Sequence, residues 1–469
     1  MSDMKAQGVK LAEKRSKAVS VLFFVGFVFV LSTQFYRPVT LSLSWHAPWL
    51  SPYAHLAFHC ASIEAISSSE FLARQTELSR TLFDLNATAY IAEPGASSQF
   101  FGNFSKSQWS LSERPLLLVM TANSGSGFSD EMASNVQPMV TILTPKFEAT
   151  RARLLPVAAA SGQVRYIEWA EEADPYAVLL ADLPSSDLSK PRTIFVDNSV
   201  RKFIVDGLLH ASDQAEKSSS SGVVVLSAPP AITQMRERKS KAEIQILRCV
   251  NEATLLAIRE VHKGLYPGIR ESQARSMMTS ALGAAGLKDG GCLTLFGENA
   301  ALPHGSGTDR TLGSQDFALF DCTASLHGYF SDITRTVAVD PDNIPAKHLE
   351  IWQLVQSAQM RALAEATNGT LASRVDTTAR NFLQEKGYGE FFTHRLGHGI
   401  GLEVHEEPYL RGGNNDIIRI GHTFSNEPGI YIEGKVGVRL EDCFYINEDG
   451  VGRYLTEEVG GPSKAPWRP

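Results

Sequence analysis

Residues 320–336 read FDCTASLHGYFSDITRT. Two strand-like runs, FALFDCTA (317–324) and YFSDITRTVAV (329–339), flank a short loop containing Gly328, which is a hairpin signal. The runs are apolar and small, the pattern of a buried strand pair, yet they carry Asp321 and Asp332. A turn centred between Leu326 and His327 sets these two aspartates directly opposite each other on one face, with Cβ atoms roughly 5 Å apart. Two ionised carboxylates at that distance repel strongly in a low dielectric. Either one of them holds a proton, or a cation sits between them.

The construction recurs downstream. FSNEPGIYIEGKVGVRLEDCFYI (424–446) reads as two strands around a Gly434–Lys435 turn, which sets Glu427 opposite Glu441. RLGHGIGLEVHEEP (395–408) adds His398 in a glycine-rich strand, where glycines permit close backbone approach, and then His405. Four carboxylates and one imidazole form a hard, oxygen-rich donor set with one nitrogen. That set favours Mn²⁺, Co²⁺ or Zn²⁺ over metals that seek thiolates. Four converging acids need more positive charge than one lysine brings, and two divalent cations supply it. Two such ions roughly 3.5–4 Å apart bridge a water and lower its pKa toward about 7, giving hydroxide for attack on a carbonyl.

Outside these segments, 469 residues suggest two or three domains. A composition 43% hydrophobic and 20% charged is that of a globular protein with material for sizeable cores. A net charge of −7 with no basic run argues against a nucleic-acid binder held by phosphate contacts. Residues 18–36, AVSVLFFVGFVFVLSTQFY, carry no charge and follow Lys5, Lys10, Lys14, Arg15 and Lys17. The pattern predicts a transmembrane anchor with residues 1–17 as a cytosolic tail. The remainder is then expected in the lumen or outside: secretory pathway, vacuole or cell surface. No small-x-small site follows, which weighs against a cleaved signal peptide. The sequons at Asn86, Asn103 and Asn368 fit a lumenal placement. Five cysteines (Cys60, Cys249, Cys292, Cys322 and Cys443) without CxxC spacing indicate neither a disulfide framework nor a zinc knuckle, although one pair could form in an oxidising lumen.

Residues 37–60 read as a stem. Over 61–230, buried-strand runs (114–120, 193–197 and 222–227) alternate with helical patterns such as 199–211, an α/β domain. A second domain spans 231–460, with 461–469 as a tail. Ser240 and Glu243 form a capping-box pattern ahead of a helix running to about 263. A further helix ends near Gly286, and two more cover about 345–367 and 373–386. Helices grouped with hairpins make this domain α+β.

Over about 230–460 the chain resembles the pita-bread metallopeptidases: prolidase, aminopeptidase P and methionine aminopeptidase, with creatinase as a non-metal relative. The resemblance is carried by MRERKSKAEIQILR (235–248), PHGSG with His304, SDITRT, GHGIGLEVHEEP and NEPGIYIEGKVGVRLED. ERPLLLV (113–119) points to the prolidase and aminopeptidase P branch. The implied fold is an α+β pita-bread catalytic domain behind a creatinase-like α/β domain, with the single transmembrane helix in front. The resemblance implies that Asp321 holds one metal, Asp332 and Glu441 bridge both, and His398 and Glu427 complete the other. It makes Glu427 the proton shuttle, places His304 and His405 at the transition-state and substrate positions, and makes Arg439 a support. The implied cofactors are two divalent ions, Mn²⁺ first and Co²⁺ or Zn²⁺ as alternatives. The implied activity is hydrolysis of X–Pro bonds in proline-containing peptides, by a dipeptidase or an aminopeptidase, in a chain that could dimerise. A non-catalytic binding module, or a hydrolase of non-peptide amides, is the alternative, and retention of all five ligands weighs against a pseudo-enzyme. One departure is Thr323, where the family often has glycine; it puts substrate range in doubt. Cys322 and Cys443 are expected to be small buried residues, Glu406 and Glu407 a solvated loop edge, His327 and His394 structural, and Tyr329 core packing.

Overall fold

The computed structural model describes residues 51–123, 137–159, 162–184, 192–218, 222–305 and 307–469. The chain divides into two compact units, 1–54 and 55–469. The expected tail (1–17), anchor (18–36) and most of the stem (37–60) lie outside the described residues. Among the described residues no helix is long and apolar enough to cross a membrane. The expected fold class is corrected to folded domains with no membrane-spanning helix among the described residues. The single-pass, lumen-facing placement built on that helix is withdrawn with it.

The larger unit begins with a mixed six-stranded sheet in the order β4-β3-β2-β1-β5-β6. Its strands are β1 (Ala89–Ala92), β2 (Leu117–Asn123), β3 (Gln137–Pro145), β4 (Arg165–Trp169), β5 (Arg192–Val196) and β6 (Val223–Ser227). The central β1 is buried along its whole length, as a strand covered on both faces must be. Helix α1 (Ser68–Asp84) packs on one face through Leu78 and Leu82, and α2 (Lys202–Ser218) on the other through Ile204 and Leu208.

The second half holds α3 (Lys241–Lys263), α4 (Glu271–Ala284), α5 (Ala346–Glu365) and α6 (Ala372–Glu385). Helix α3 starts where the sequence says it should. Ser240 Oγ accepts from Glu243 N at 3.2 Å, and Glu243 Oε2 accepts from Ser240 N at 2.9 Å, a complete capping box. Three sets of strands lie among these helices. A three-stranded antiparallel sheet joins β7 (Lys288–Phe296), β8 (Ala318–Leu326) and β9 (Tyr329–Val337). A five-stranded sheet contains β10 (Gly397–Gly399), β11 (Glu406–Leu410), β12 (Thr423–Asn426), β15 (Asp442–Ile446) and β16 (Gly452–Tyr454). Between them sits the hairpin of β13 (Gly429–Ile432) and β14 (Val436–Arg439). Helices α5 and α6 close the core over the second and third sets, through Trp352, Val355, Val375 and Leu383 against Phe424, Val438 and Phe444.

The β8–β9 register differs from the one read in the sequence. The two turn residues are His327 and Gly328, both at positive φ (52° and 85°), so Leu326 pairs with Tyr329. Asp321 then faces Thr334, and Asp332 faces Thr323. The physical reason is turn chemistry: a two-residue hairpin turn of this kind needs positive φ at both central positions, and Gly328 has to be one of them. The shift is two residues, so both aspartates keep the same face and become a diagonal pair. The β13–β14 and β12–β15 ladders share the register expected around Gly434, with Gly429 facing Arg439 and Asn426 facing Asp442.

Disulfides join Cys60 to Cys249 and Cys292 to Cys322, while Cys443 is buried and free. Cys322 is thus not merely a small buried residue: Cys292 lies directly opposite it on β7. The last residues of the expected stem lie against α3, where His59 meets Glu252 at 2.9 Å and Cys60 meets Cys249.

Candidate metal centre

Strands, and the passages between them, deliver the acidic and imidazole groups. β8 presents Asp321 and β9 presents Asp332. β10 presents His398 from between two glycines, and Glu427 and Glu441 stand where β12 passes into β13 and β14 into β15. The glycines on β10 are required. A Cβ on Gly397 would lie 2.1 Å from the Ser425 carbonyl oxygen, and one on Gly399 would lie 2.5 Å from that of Glu406. Only bare backbone lets β10 fit between its neighbours.

The donor atoms converge. Ligand atoms of Asp321, Asp332 and Glu441 lie within 4.8 Å of one another, as do those of His398, Glu427 and Glu441. His398 Nδ1 lies 3.0 Å from the Gly399 carbonyl oxygen, and Nε2 faces Glu427 Oε1 at 3.3 Å and Asp332 Oδ2 at 3.6 Å. Arg439 Nη2 donates to Asp321 Oδ2 at 2.6 Å and Nη1 to the Tyr431 hydroxyl at 3.0 Å. Thr334 Oγ1 donates to Glu441 Oε2 at 2.6 Å. The other Glu441 oxygen, Oε1, is buried and has no hydrogen-bond partner.

This orphan atom is a direct test of whether the residues fit a cation. Burial, then the charges of Asp321 and Glu427, push the Asp332 carboxyl well above the ordinary carboxylate range. Burial, then Asp332, Glu427 and Asp321, do the same to Glu441. Burial also opposes ionisation of Glu427, but the hydrogen bond and charge of His398, with His394 and Arg439, bring it down to about 2. A buried cluster whose members resist ionisation because of one another is short of positive charge. Oxygen donors with one imidazole suit a divalent ion of hard to borderline character.

A cavity of about 780 Å³ opens over the cluster. It is lined by all five ligand candidates and by His304, His405 and Arg439, the remaining site residues expected from the sequence. The His405 ring meets the His398 ring edge-on, with centroids 4.3 Å apart. Thr323 lines the same cavity. Four contributors escaped the sequence reading. His394, expected to be structural, lines the cavity and bonds the Tyr431 hydroxyl at 2.8 Å. Thr334 was a plain strand residue until the corrected register set it opposite Asp321. Arg395 and Arg411 also reach the cavity. Glu406, expected at a solvated edge, is 5% exposed and ion-paired with Lys239, whereas Glu407 is exposed. Tyr329 is buried, as expected, and its hydroxyl also donates to Glu243 Oε1 at 2.8 Å.

The description "Metallopeptidase family M24" matches residues 245–448. An uncharacterized peptidase of Schizosaccharomyces pombe is 36% identical over 391 residues, covering 82% of this chain and 81% of that protein. A protein named Xaa-Pro dipeptidase from Lactobacillus delbrueckii subsp. lactis is 38% identical over 226 residues, 47% of this chain and 60% of its own length. The crystal structure of dipeptidase PepE from Mycobacterium ulcerans superposes with a TM-score of 0.71 at 26% identity, covering 84% of this chain and 97% of that one.

Proposed function

This chain belongs to metallopeptidase family M24 and is a metal-dependent peptidase, and we propose that it hydrolyses X–Pro peptide bonds at a dinuclear centre. In this reading Asp321, Asp332, His398, Glu427 and Glu441 hold two divalent ions, Mn²⁺ in the first place and Co²⁺ or Zn²⁺ as alternatives. The observation that carries it is the convergence of these five side chains on one cavity, with a buried Glu441 oxygen that no protein donor satisfies.

When bound, two such ions supply Lewis-acid charge and lower the pKa of a water toward about 7. The chain's own groups do the rest. Glu427, held ionised, accepts the proton that the attacking water sheds and passes it to the leaving nitrogen. Proline's imide nitrogen carries no proton of its own, and its ring restricts the preceding residue. A fixed proton carrier is therefore worth most at an X–Pro bond. His304 and His405, on the cavity wall, orient the scissile carbonyl and stabilise the charge that develops on it. Arg439 fixes Asp321 from one side and Tyr431 from the other. Arg395 and Arg411 offer a free C-terminal carboxylate a place to pair, which weighs toward a dipeptide substrate.

The test is hydrolysis by the purified protein reloaded with Mn²⁺, Co²⁺ or Zn²⁺ in turn. The substrates are an X–Pro dipeptide, an X–Pro–Y tripeptide and an Ala–Ala control, beside a Glu427→Gln variant. Cleavage confined to X–Pro substrates and lost in the variant is the expected result, with the dipeptide favoured. Two bound metals without cleavage would redirect the site to other amides. Neither metal nor cleavage would favour the binding module.

A further inference from the structure

His405 is exposed, so its placement depends on the backbone that carries it. That backbone is tied down from an unexpected direction. The segment Arg236–Lys239 connects the six-stranded sheet to α3, and two of its cations reach the His405 loop. Lys239, 8% exposed, donates from Nζ to Glu406 Oε1 at 2.6 Å and to the carbonyls of Arg236 (2.7 Å) and Glu237 (3.2 Å). All three ammonium protons are thus used. Arg236 Nη2 donates to Glu403 Oε2 at 2.7 Å, and its Nε lies 3.6 Å from Glu406 Oε2. The two anchored acids, Glu403 and Glu406, bracket Val404 and His405.

The pair also presses on the ligand strand. Glu406 faces Gly399, the residue after His398. A Cβ on Gly401 would lie 2.5 Å from Glu406 Oε1 and 2.6 Å from Lys239 Cε, so the ion pair lies directly against the turn that leads to His405. The same segment reaches toward Glu427: Lys239 N donates to the Gly421 carbonyl at 2.8 Å, and Arg238 bridges to His422 just before β12. A buried ion pair whose ammonium has all three of its hydrogen bonds made is confined in geometry, whereas an exposed loop is not.

We propose that Lys239 and Arg236 are positioning residues for the reaction: by anchoring Glu406 and Glu403 they hold the His405 loop over the carboxylate cluster. The inference rests on the role given to His405 above. It explains why a cationic segment far from the chemistry in sequence belongs with the site, and it makes the junction between the two domains part of the catalytic geometry.

The test uses the full chain loaded with Mn²⁺ and an X–Pro dipeptide, with kcat, KM, metal stoichiometry and Tm measured for each variant. Lys239→Met alone leaves a buried carboxylate unpaired, so the main probe is Lys239→Met combined with Glu406→Leu, which removes both charges. That double variant should keep its metal and its Tm, yet lose on the order of tenfold or more in kcat, as an ångström-scale misplacement implies. Arg236→Gln, which leaves the buried pair whole, should lose about threefold by the same reasoning. Both losses should vanish in a His405→Ala background. Unchanged kcat in the double variant would overturn the proposal, as would losses that simply multiply with that of His405→Ala. Full activity in His405→Ala alone would instead remove the premise about His405, and the inference would fall with it.

Discussion

Glu441→Gln should move stability in opposite directions with and without metal. Glu441 is 2% exposed, one of its carboxylate oxygens has no protein partner, and three other carboxylates stand near it. Its pKa is raised above the ordinary 4.5 by burial and by Asp332, Glu427 and Asp321. A raised carboxyl favours the folded state fully below pH 4.5, and that contribution is lost as pH rises through the folded pKa. At neutral pH this side chain is therefore a burden on the metal-free fold. Glutamine keeps an oxygen for the Thr334 hydroxyl, now at 2.6 Å, and turns an amide toward the carboxylates, where the orphan oxygen was. Hydrogen bonds to charged groups are worth about 1.5–3 kcal/mol, so the metal-free variant should gain about 2 kcal/mol. For a domain of this size that is a rise in Tm of about 4–8 °C. With metal the order reverses. On the proposed reading, metal at a hundred times its Kd stabilises the wild type by about 2.7 kcal/mol, and the variant lacks one of the proposed ligands that would draw that stabilisation. Calorimetry at about pH 7.5, in chelator and then in excess Mn²⁺, reads both arms. A metal-free variant that melts below the wild type would refute the idea that Glu441 is held against its own electrostatics.

Three further outcomes follow from other parts of the fold. Ser240→Ala removes the oxygen that caps α3 and its 2.7 Å bond to Glu70, and should cost about 1 kcal/mol in urea unfolding with little change in m-value. Gly437→Ala would place a Cβ 1.8 Å from the Ala300 carbonyl oxygen, backbone against backbone, so β14 must shift; a loss of about 3 kcal/mol or more should show as poor soluble yield and a lowered Tm. Glu237 has its pKa raised from 4.5 to about 7, first by burial and then by Asp416, so the wild type should lose stability as pH rises from 4.5 toward 7. Glu237→Gln should flatten that slope and be more stable above it, by on the order of 2–3 kcal/mol; an unchanged pH profile would count against the raised pKa.

How far the sequence could be read depended on how local each determinant was. The α3 capping box lies within four residues, and it formed as written. The Glu427–Glu441 register could be read because Gly434, at φ 68°, marks its turn unmistakably. The first hairpin carries the same information in Gly328, but His327 also adopts positive φ, which no sequence signal marks, so the sequence alone sets the turn one residue too early, a two-residue slip in register. Strand alternation forgave the slip, since a shift of two returns every side chain to its own face. That is why the carboxylate cluster survived an error in the pairing that suggested it. Long-range partners had no such protection. HEEP looks like a solvated turn, and nothing within it signals that Glu406 meets a lysine 167 residues upstream while Glu407 stays exposed. Cys292 and Cys322 meet only because β7 lies beside β8, a pairing that leaves no trace in cysteine spacing. Site chemistry concentrated on two hairpins was therefore legible, whereas the supports that hold those hairpins in place were not. The supports come from the segment that leads into α3, so on the proposed reading the joint replacement of Lys239 and Glu406, rather than loss of any candidate ligand, should most directly separate a formed site from a working one.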